Sequence, residues 1–273
     1  MLGIGIGLRH EMASDIIKNR DCIDWLEFYP DSFIHQEADI TLLEEVKEMF
    51  PLCPHCLNFS IGSKERINKE YLNSIKKMVN SYNSPWFSDH LCFTQVNGVD
   101  VGHLAPIERS EESLEIVTRN IKTIKKEIKK EFLIENITFD FELPTNQYNE
   151  MEFINKVLEN ADCGLLLDVT NVFINSENHK FDPYKYIDEI NLERVMEIHI
   201  AGGIKDSQGY WIDSHSERIN KEVWNLLEYT LRKSSTKGIL LELDANYPKH
   251  FEVVREELQI AKSLFNKYNC AVK

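Results

Sequence analysis

No stretch of the 273 residues approaches the roughly 20 consecutive apolar positions that a membrane-spanning helix needs. The opening "MLGIGIGLRHEM" has no basic region ahead of its short apolar run, so it reads as a first strand and not as a secretory signal. No membrane association is expected, and the expected compartment is the cytoplasm. Positive charge is scarce too: 31 Lys and Arg stand against 45 Asp and Glu, a formal net charge of −14. An acidic surface repels phosphate backbones, so no nucleic-acid partner is expected. The one basic stretch, "IKTIKKEIKKEF", sets its lysines on the solvated face of an amphipathic helix. Cysteines are few and scattered, at Cys22, Cys53, Cys56, Cys92, Cys163 and Cys270, which is no disulfide framework for a chain of this kind. Cys53 and Cys56 form "CPHC", but no second pair stands by to complete a structural zinc site, and packing is their expected role. There is no G-x-G-x-x-G opening a helix after the first strand, which removes support for a dinucleotide fold. There is no Pro/Gly/Ser-rich linker either, so a single domain over 1–273 is expected.

What the chain does have is alternation. Short apolar runs at 3–9, 24–30, 51–60, 85–91, 132–137, 164–169, 195–200 and 238–244 read as strands. Between them lie helical patterns at 10–20, 37–49, 66–80, 108–130, 150–160, 183–191, 219–233 and 250–268. Asp182 before Pro183 and Asn149 before "EMEFINKVL" are helix starts. Eight β/α units in this length point to one closed (β/α)8 TIM-type barrel, with a doubly wound open sheet as the structural alternative. In "GIGIG", Gly3, Gly5 and Gly7 alternate along the first strand, which implies tight interior packing or room for a ligand.

Barrel enzymes work at the C-terminal ends of their strands. Polar residues gather there: Glu27, His55, Asp89 and His90, Glu135 and Asn136, Asp168 and Asn171, His199, Glu242 and Asp244. The loop after the seventh strand adds Asp213 and His215 in "WIDSHSE". Any one of these alone reads as a hydrogen-bonded structural residue or a loop cap. Together they would place many charges inside apolar surroundings, where charges survive only when paired or bound to metal. A carboxylate and imidazole set without thiolate suits iron, manganese or zinc. The set exceeds what one ion needs, and a carboxylate such as Glu135 can bridge two. Residue types alone leave open an iron site that binds dioxygen and a di- or tri-zinc hydrolytic site.

The motifs "GIGLRHE", "DWLEFYPDSFI", "HCLNFSIGS", "SDHLCF", "ENI", "LLLDVTNVFINSENH", "EIHIAGG", "DSHSE" and "LELDANYP" run in the order seen in the multinuclear non-heme iron-dependent oxidative enzymes, which the chain resembles from about residue 3 to 248. The family includes the catalytic subunit of methanobactin oxazolone–thioamide biosynthesis and the 3-thiaglutamate pathway enzyme. The resemblance implies a TIM-type barrel with two or three irons in mixed ferrous and ferric states. It implies dioxygen as co-substrate and a ribosomally made precursor peptide as substrate, modified at cysteine. Carried over by motif, Glu135, Asp168, His199 and Glu242 would hold one iron, and His55 and His90 with bridging Glu135 a second. Asp213 and His215, with Asn171, would hold a third, while Asp89, Asn136, Asp244 and Glu27 would stand behind the ligands or beside the substrate. A substrate thiolate would bind one iron, and an iron–superoxo species would abstract hydrogen. A separate leader-peptide-binding partner protein is also implied. Two departures stand out: Gly203 where many members have His, and Leu243 where many have Arg. The main alternative is a divalent-metal-dependent hydrolase or isomerase on the same barrel, of the sugar isomerase and endonuclease type. A metal-binding protein without turnover is the third.

Overall fold

The computed structural model describes residues 1–35 and 38–269. Eight parallel strands close into a barrel: β1 (Gly3–Gly7), β2 (Trp25–Phe28), β3 (Leu52–Cys56), β4 (Trp86–His90), β7 (Glu131–Glu135), β8 (Gly164–Asp168), β9 (Val195–Ile200) and β12 (Gly238–Leu241). Each strand pairs with the next in chain order among the eight, and β12 returns to β1 through Gly3↔Gly238 to Ile6↔Leu241. All eight expected strands are present, and the closed ring replaces the open-sheet alternative.

The helices are α1 (Ala13–Lys18), α2 (Pro30–Ile34), α3 (Ile40–Val46), α4 (Lys69–Ser81), α5 (Glu111–Glu127), α6 (Glu150–Ala161), α7 (Val169–His179), α8 (Pro183–Glu189), α9 (Lys221–Leu231) and α10 (Glu252–Asn269). Their starts follow local chemistry. Asn149 and Glu152 form a reciprocal capping box on α6, and Asp182 caps α8 ahead of Pro183. Two helices escaped the sequence reading. The α2 helix is a single turn. The α7 helix is buried on all sides from Val169 to Ser176, so its sequence shows no polar face to set a period.

An inserted hairpin was also missed: β5 (Cys92–Val96) and β6 (Val99–Pro106). Its turn, Asn97–Gly98, has φ of 52° and 74°, the left-handed pair of a type I′ hairpin, and the Asn-Gly dipeptide was its legible sign. A second small hairpin, β10 (Ile204–Lys205) and β11 (Trp211–Ile212), precedes the "DSHSE" loop. The expected helix from 37 begins at a residue outside the described ones, as does Cys270.

Apolar residues form two separate cores. One fills the space between strands and helices; the other, Trp25, Cys53, Trp86, Leu133, Leu166 and Leu240, fills the barrel interior near its N-terminal end. The glycines of β1 make the second core fit. A Cβ on Gly5 would lie 2.4 Å from the Trp25 ring, and one on Gly7 would lie 2.9 Å from the Arg9 guanidinium. "GIGIG" is therefore room for two large side chains. No described helix is long and apolar enough to cross a membrane.

Candidate metal centre at the barrel mouth

Side chains of a strand alternate between its two faces, so an interior residue is followed two positions later by another. Stepping two residues from each floor residue leads to the mouth. Trp25 is followed by Glu27, Cys53 by His55, Leu133 by Glu135, Leu166 by Asp168 and Leu240 by Glu242, while Trp86 leads through Ser88 to His90. On β9 the pair is Glu197 and His199. All these polar groups are buried; His90, the most exposed of them, is 8% accessible.

Three sets converge. His55 Nε2 and His90 Nε2 lie 3.1 and 3.3 Å from Glu135 Oε2 and 3.3 Å from each other. The other Glu135 oxygen is 3.6 Å from His199 Nδ1, which is 3.2 Å from Glu242 Oε2, and Asp168 completes this second set. Glu135 thus belongs to both. At the outer edge, His215 Nδ1 sits 3.0 Å from Asp244 Oδ2 and 3.4 Å from Glu242 Oε2, and its Nε2 sits 2.6 Å from Asp213 Oδ1. His215 adopts a left-handed φ of 46°, held by the Asp244 N–H donating to its carbonyl at 2.8 Å. A fourth set, Glu27, Glu197 and His199, lies deeper. The mouth opens into a cavity of about 540 Å³ lined by Tyr29, His90, Glu135, His215 and Glu242, and by His103 and Leu104 of the β6 strand.

The fit of these residues to cations rests on atoms left without partners. Glu135 Oε2, Asp168 Oδ2, Asn171 Oδ1, Asp213 Oδ1 and His215 Nε2 are buried and make no hydrogen bond. Buried polar atoms are nearly always satisfied, so a cluster of exceptions in one place fits the donor set of a cation site. The 2.6 Å approach of Asp213 to His215 is not aligned as a hydrogen bond, as expected of two lone pairs aimed at a common point. The electrostatics agree. Burial works to raise the Glu135 carboxyl, but His90, His55 and His199 outweigh it and hold it low. Burial, then Asp213 and Glu135, push Asp168 well above the carboxylate range. Burial opposes charge on His55, yet Glu27 and Glu135 raise it to about 9. The field that holds a proton on His55 is one that would hold metal cations, and the donors are imidazole and carboxylate without thiolate.

The remaining expected residues take other places. Asp89 alternates away from the mouth and accepts the backbone N–H groups of Phe59 at 2.8 Å and His90 at 2.6 Å. Asn136 spends its amide on the backbone of Asp168, at 2.9 Å in both directions. Asn171 lies in the first turn of α7, and its Nδ2 donates to the Asn136 carbonyl at 3.0 Å, leaving Oδ1 toward the cavity. Glu27 lies at the inner edge of the mouth, its Oε2 3.3 Å from His199 Nε2, and neither of its oxygens makes a hydrogen bond. Asp244 is claimed by Arg9, whose Nε and Nη2 donate at 2.8 and 2.6 Å.

Several participants went unread. Arg9 also lies 3.6 Å from Glu242 and stacks 3.9 Å from the Tyr29 ring centroid, and Tyr29 donates its hydroxyl to Glu242. Glu197 was legible in principle, two positions before His199 in "EIHI". Cys53 and Cys56 fall on opposite faces of β3, one in the barrel floor and one in the outer core, so they cannot pair. Burial pushes both thiols well up, as inert packing residues require. A Cβ on Gly203 would stand 2.9 Å from the Ile212 carbonyl, so the β11 strand occupies the space a histidine there would need. Leu243 packs against the outer core.

The sequence profile of the family described as RiPP precursor modification enzyme MbnB/TglH/ChrH, where RiPP denotes a ribosomally synthesised and post-translationally modified peptide, matches residues 3–265. A UPF0276 protein of Acaryochloris marina is 32% identical over 259 residues, covering 95% of this chain and 93% of its own. A UPF0276 protein of Haemophilus influenzae is 30% identical over 295 residues, covering 97% and 95%. Among solved structures, D-psicose 3-epimerase from Clostridium cellulolyticum superposes with a TM-score of 0.62 at 9% identity, covering 98% and 99% of the two chains. Endonuclease IV from Thermus thermophilus gives 0.59 at 12% identity, covering 97% and 98%. At such identities these two likenesses concern the barrel alone.

Proposed function

The chain belongs to the RiPP precursor modification enzyme family MbnB/TglH/ChrH, and from that membership and the mouth geometry we propose that it is a multinuclear non-heme iron enzyme that uses dioxygen to oxidise a precursor peptide at cysteine. The observation that carries the reading is Glu135. One of its oxygens faces His55 and His90, the other faces His199, and the first has no partner although fully buried. A carboxylate so placed would serve two cations, one through each oxygen. Glu135, Asp168, His199 and Glu242 would hold one metal, and His55, His90 and Glu135 a second. Asp213, His215 and the free Asn171 oxygen would hold a third at the rim. Iron bound there supplies an open coordination position for a substrate thiolate and for dioxygen.

The chain's own residues provide the rest. Arg9 and Tyr29 clamp Glu242 and Asp244 from one side, fixing the carboxylates against the repulsion of their neighbours. The β5–β6 hairpin contributes His103 and Leu104 to the cavity wall, where they would contact a bound peptide. Floor residues Trp25, Trp86 and Leu166 keep water out from below. Leader recognition falls to a separate partner protein in this scheme, since the inserts among the described residues are two short hairpins.

Anaerobic purification followed by metal analysis and Mössbauer spectroscopy tests the reading. Two or more irons per chain, with dioxygen uptake in the presence of a cysteine-containing peptide, are expected. Zinc alone, with iron reconstitution giving no oxygen-dependent chemistry, would refute it in favour of a hydrolase or isomerase.

A further inference from the structure

The deep set of Glu27, Glu197 and His199 has the donor types of a metal site, but its hydrogen bonds favour a different use. The geometry points to Glu197 as a positioning residue: it accepts the Nε2–H of His199 and thereby presents Nδ1 to the carboxylates of the mouth. The inference rests on the mouth being a metal centre and concerns how one of its ligands is held.

A neutral imidazole has one N–H and one lone pair, and a metal takes the lone pair. The His199 ring is fully buried between two carboxylate groups, so its orientation is a choice between them. On the Nδ1 side stand Glu242 at 3.2 Å, also in hydrogen-bond geometry, and Glu135 at 3.6 Å, together with Asp168. On the Nε2 side stand Glu197 Oε1 and Glu27 Oε2, each at 3.3 Å, of which only the Glu197 contact is aligned as a hydrogen bond.

Trp86 decides between the two sides. Its indole N–H, a donor that cannot become an acceptor, points at Glu197 Oε2 from 2.6 Å. One Glu197 oxygen is thereby spent, and the positive end of the indole dipole faces the space a deep cation would share. Trp86 and His199 thus both donate to Glu197, one to each carboxylate oxygen. The neighbouring ligand is built alike: His55 Nδ1 is anchored on Ser88 Oγ at 2.7 Å, leaving Nε2 for Glu135. His55 and His90 thus offer Nε2 to the centre, and His199 offers Nδ1. Carboxylates behind a metal-binding histidine commonly set its tautomer in this way, and their removal costs about 10–100-fold in metal affinity.

Glu197 serves two donors with two acceptor oxygens, and this gives a test that packing alone would not satisfy. Iron(II) affinity is measured by chelator competition on the full chain, with a thermal melt of each variant as the control for folding. Glu197→Ala is expected to lose on the order of 10–100-fold in affinity for one metal equivalent. Glu197→Gln keeps a single acceptor for two donors and is expected to fall between that variant and the wild type. Adding Trp86→Phe removes the competing donor, so the Trp86→Phe/Glu197→Gln pair is expected to bind more tightly than Glu197→Gln alone, although it melts lower. Anomalous diffraction from iron-loaded wild-type crystals is expected to place metal on the Nδ1 side of His199. Metal between Glu27 and Glu197 would overturn the inference, as would a folded Glu197→Ala that binds iron like the wild type, or a double variant that binds no better than Glu197→Gln. Wild-type protein that binds no iron would sink the functional reading as well, and the wild-type measurement alone identifies that case.

Discussion

The two ends of the barrel interior are built from the same strands, two residues apart, and have opposite chemistry. The floor holds Trp25, Cys53, Trp86, Leu133, Leu166 and Leu240. One step up stand Glu27, His55, Glu135, Asp168 and Glu242, joined by His199 of β9, equally buried. In the floor, burial itself is the stabilising term, at roughly 25 cal/mol per Å² of apolar surface. In the mouth, burial is a cost that only cations, protons or hydrogen bonds offset. The contrast teaches that the barrel spends stability at one end and recovers it at the other. Glu197 is the exception that sits at floor level on β9, and it is tied from both sides, by Trp86 and His199.

The sharpest way to break the contrast is at Glu135. Glu135→Ala is expected to abolish activity and lose more than one metal equivalent per chain, read by elemental analysis; loss of none would show that the carboxylate bridges nothing. The floor should answer in the other currency. Leu166→Ala is expected to cost about 2–5 kcal/mol in denaturant unfolding while keeping its metal content when folded. If it instead lost metal at full stability, the two layers would not be separable. A smaller effect is expected at the rim, where Asp213→Ala should release one metal equivalent and keep the others, because His215 and its loop lie outside the Glu135-centred sets. Loss of all metal would merge rim and centre into one cooperative site.

The smallest effect lies outside both layers and serves as the control. Burial raises the Glu150 carboxyl to about 7, against the opposing pull of Arg109 and Tyr186. A carboxyl raised in the folded state favours folding when protonated. Its contribution is therefore full below the ordinary value of 4.5 and is lost as pH rises through about 7. Glu150→Gln is expected to remove that slope, so that stability relative to the wild type improves from pH 5 to pH 8 with metal content unchanged. An identical pH profile in the two proteins would show that Glu150 does not titrate in this window.

Much of this is legible in the sequence. Eight apolar runs separated by helical periods were enough for a parallel barrel, because strand and helix periods are local properties of the chain. Strand-end position was enough to nominate His55, Glu135, Asp168, His199 and Glu242. The α7 helix was not legible, since a helix buried all round has no period to read. Neither was the separation of His90 from Asp89, adjacent residues of which only the first faces the mouth while the second holds the 57–63 loop. Arg9 and Tyr29 were missed because their partner Glu242 lies more than 200 positions away along the chain.

The sequence by itself determined the type of each element and the residue types at the strand ends, for both follow from neighbours a few positions apart. Only the tertiary structure decided which donors share a point. Barrel closure sets the register of eight strands at once, and that register places Glu135 between three imidazoles, turns one nitrogen of His199 upward and the other toward Glu197, and parts Cys53 from Cys56.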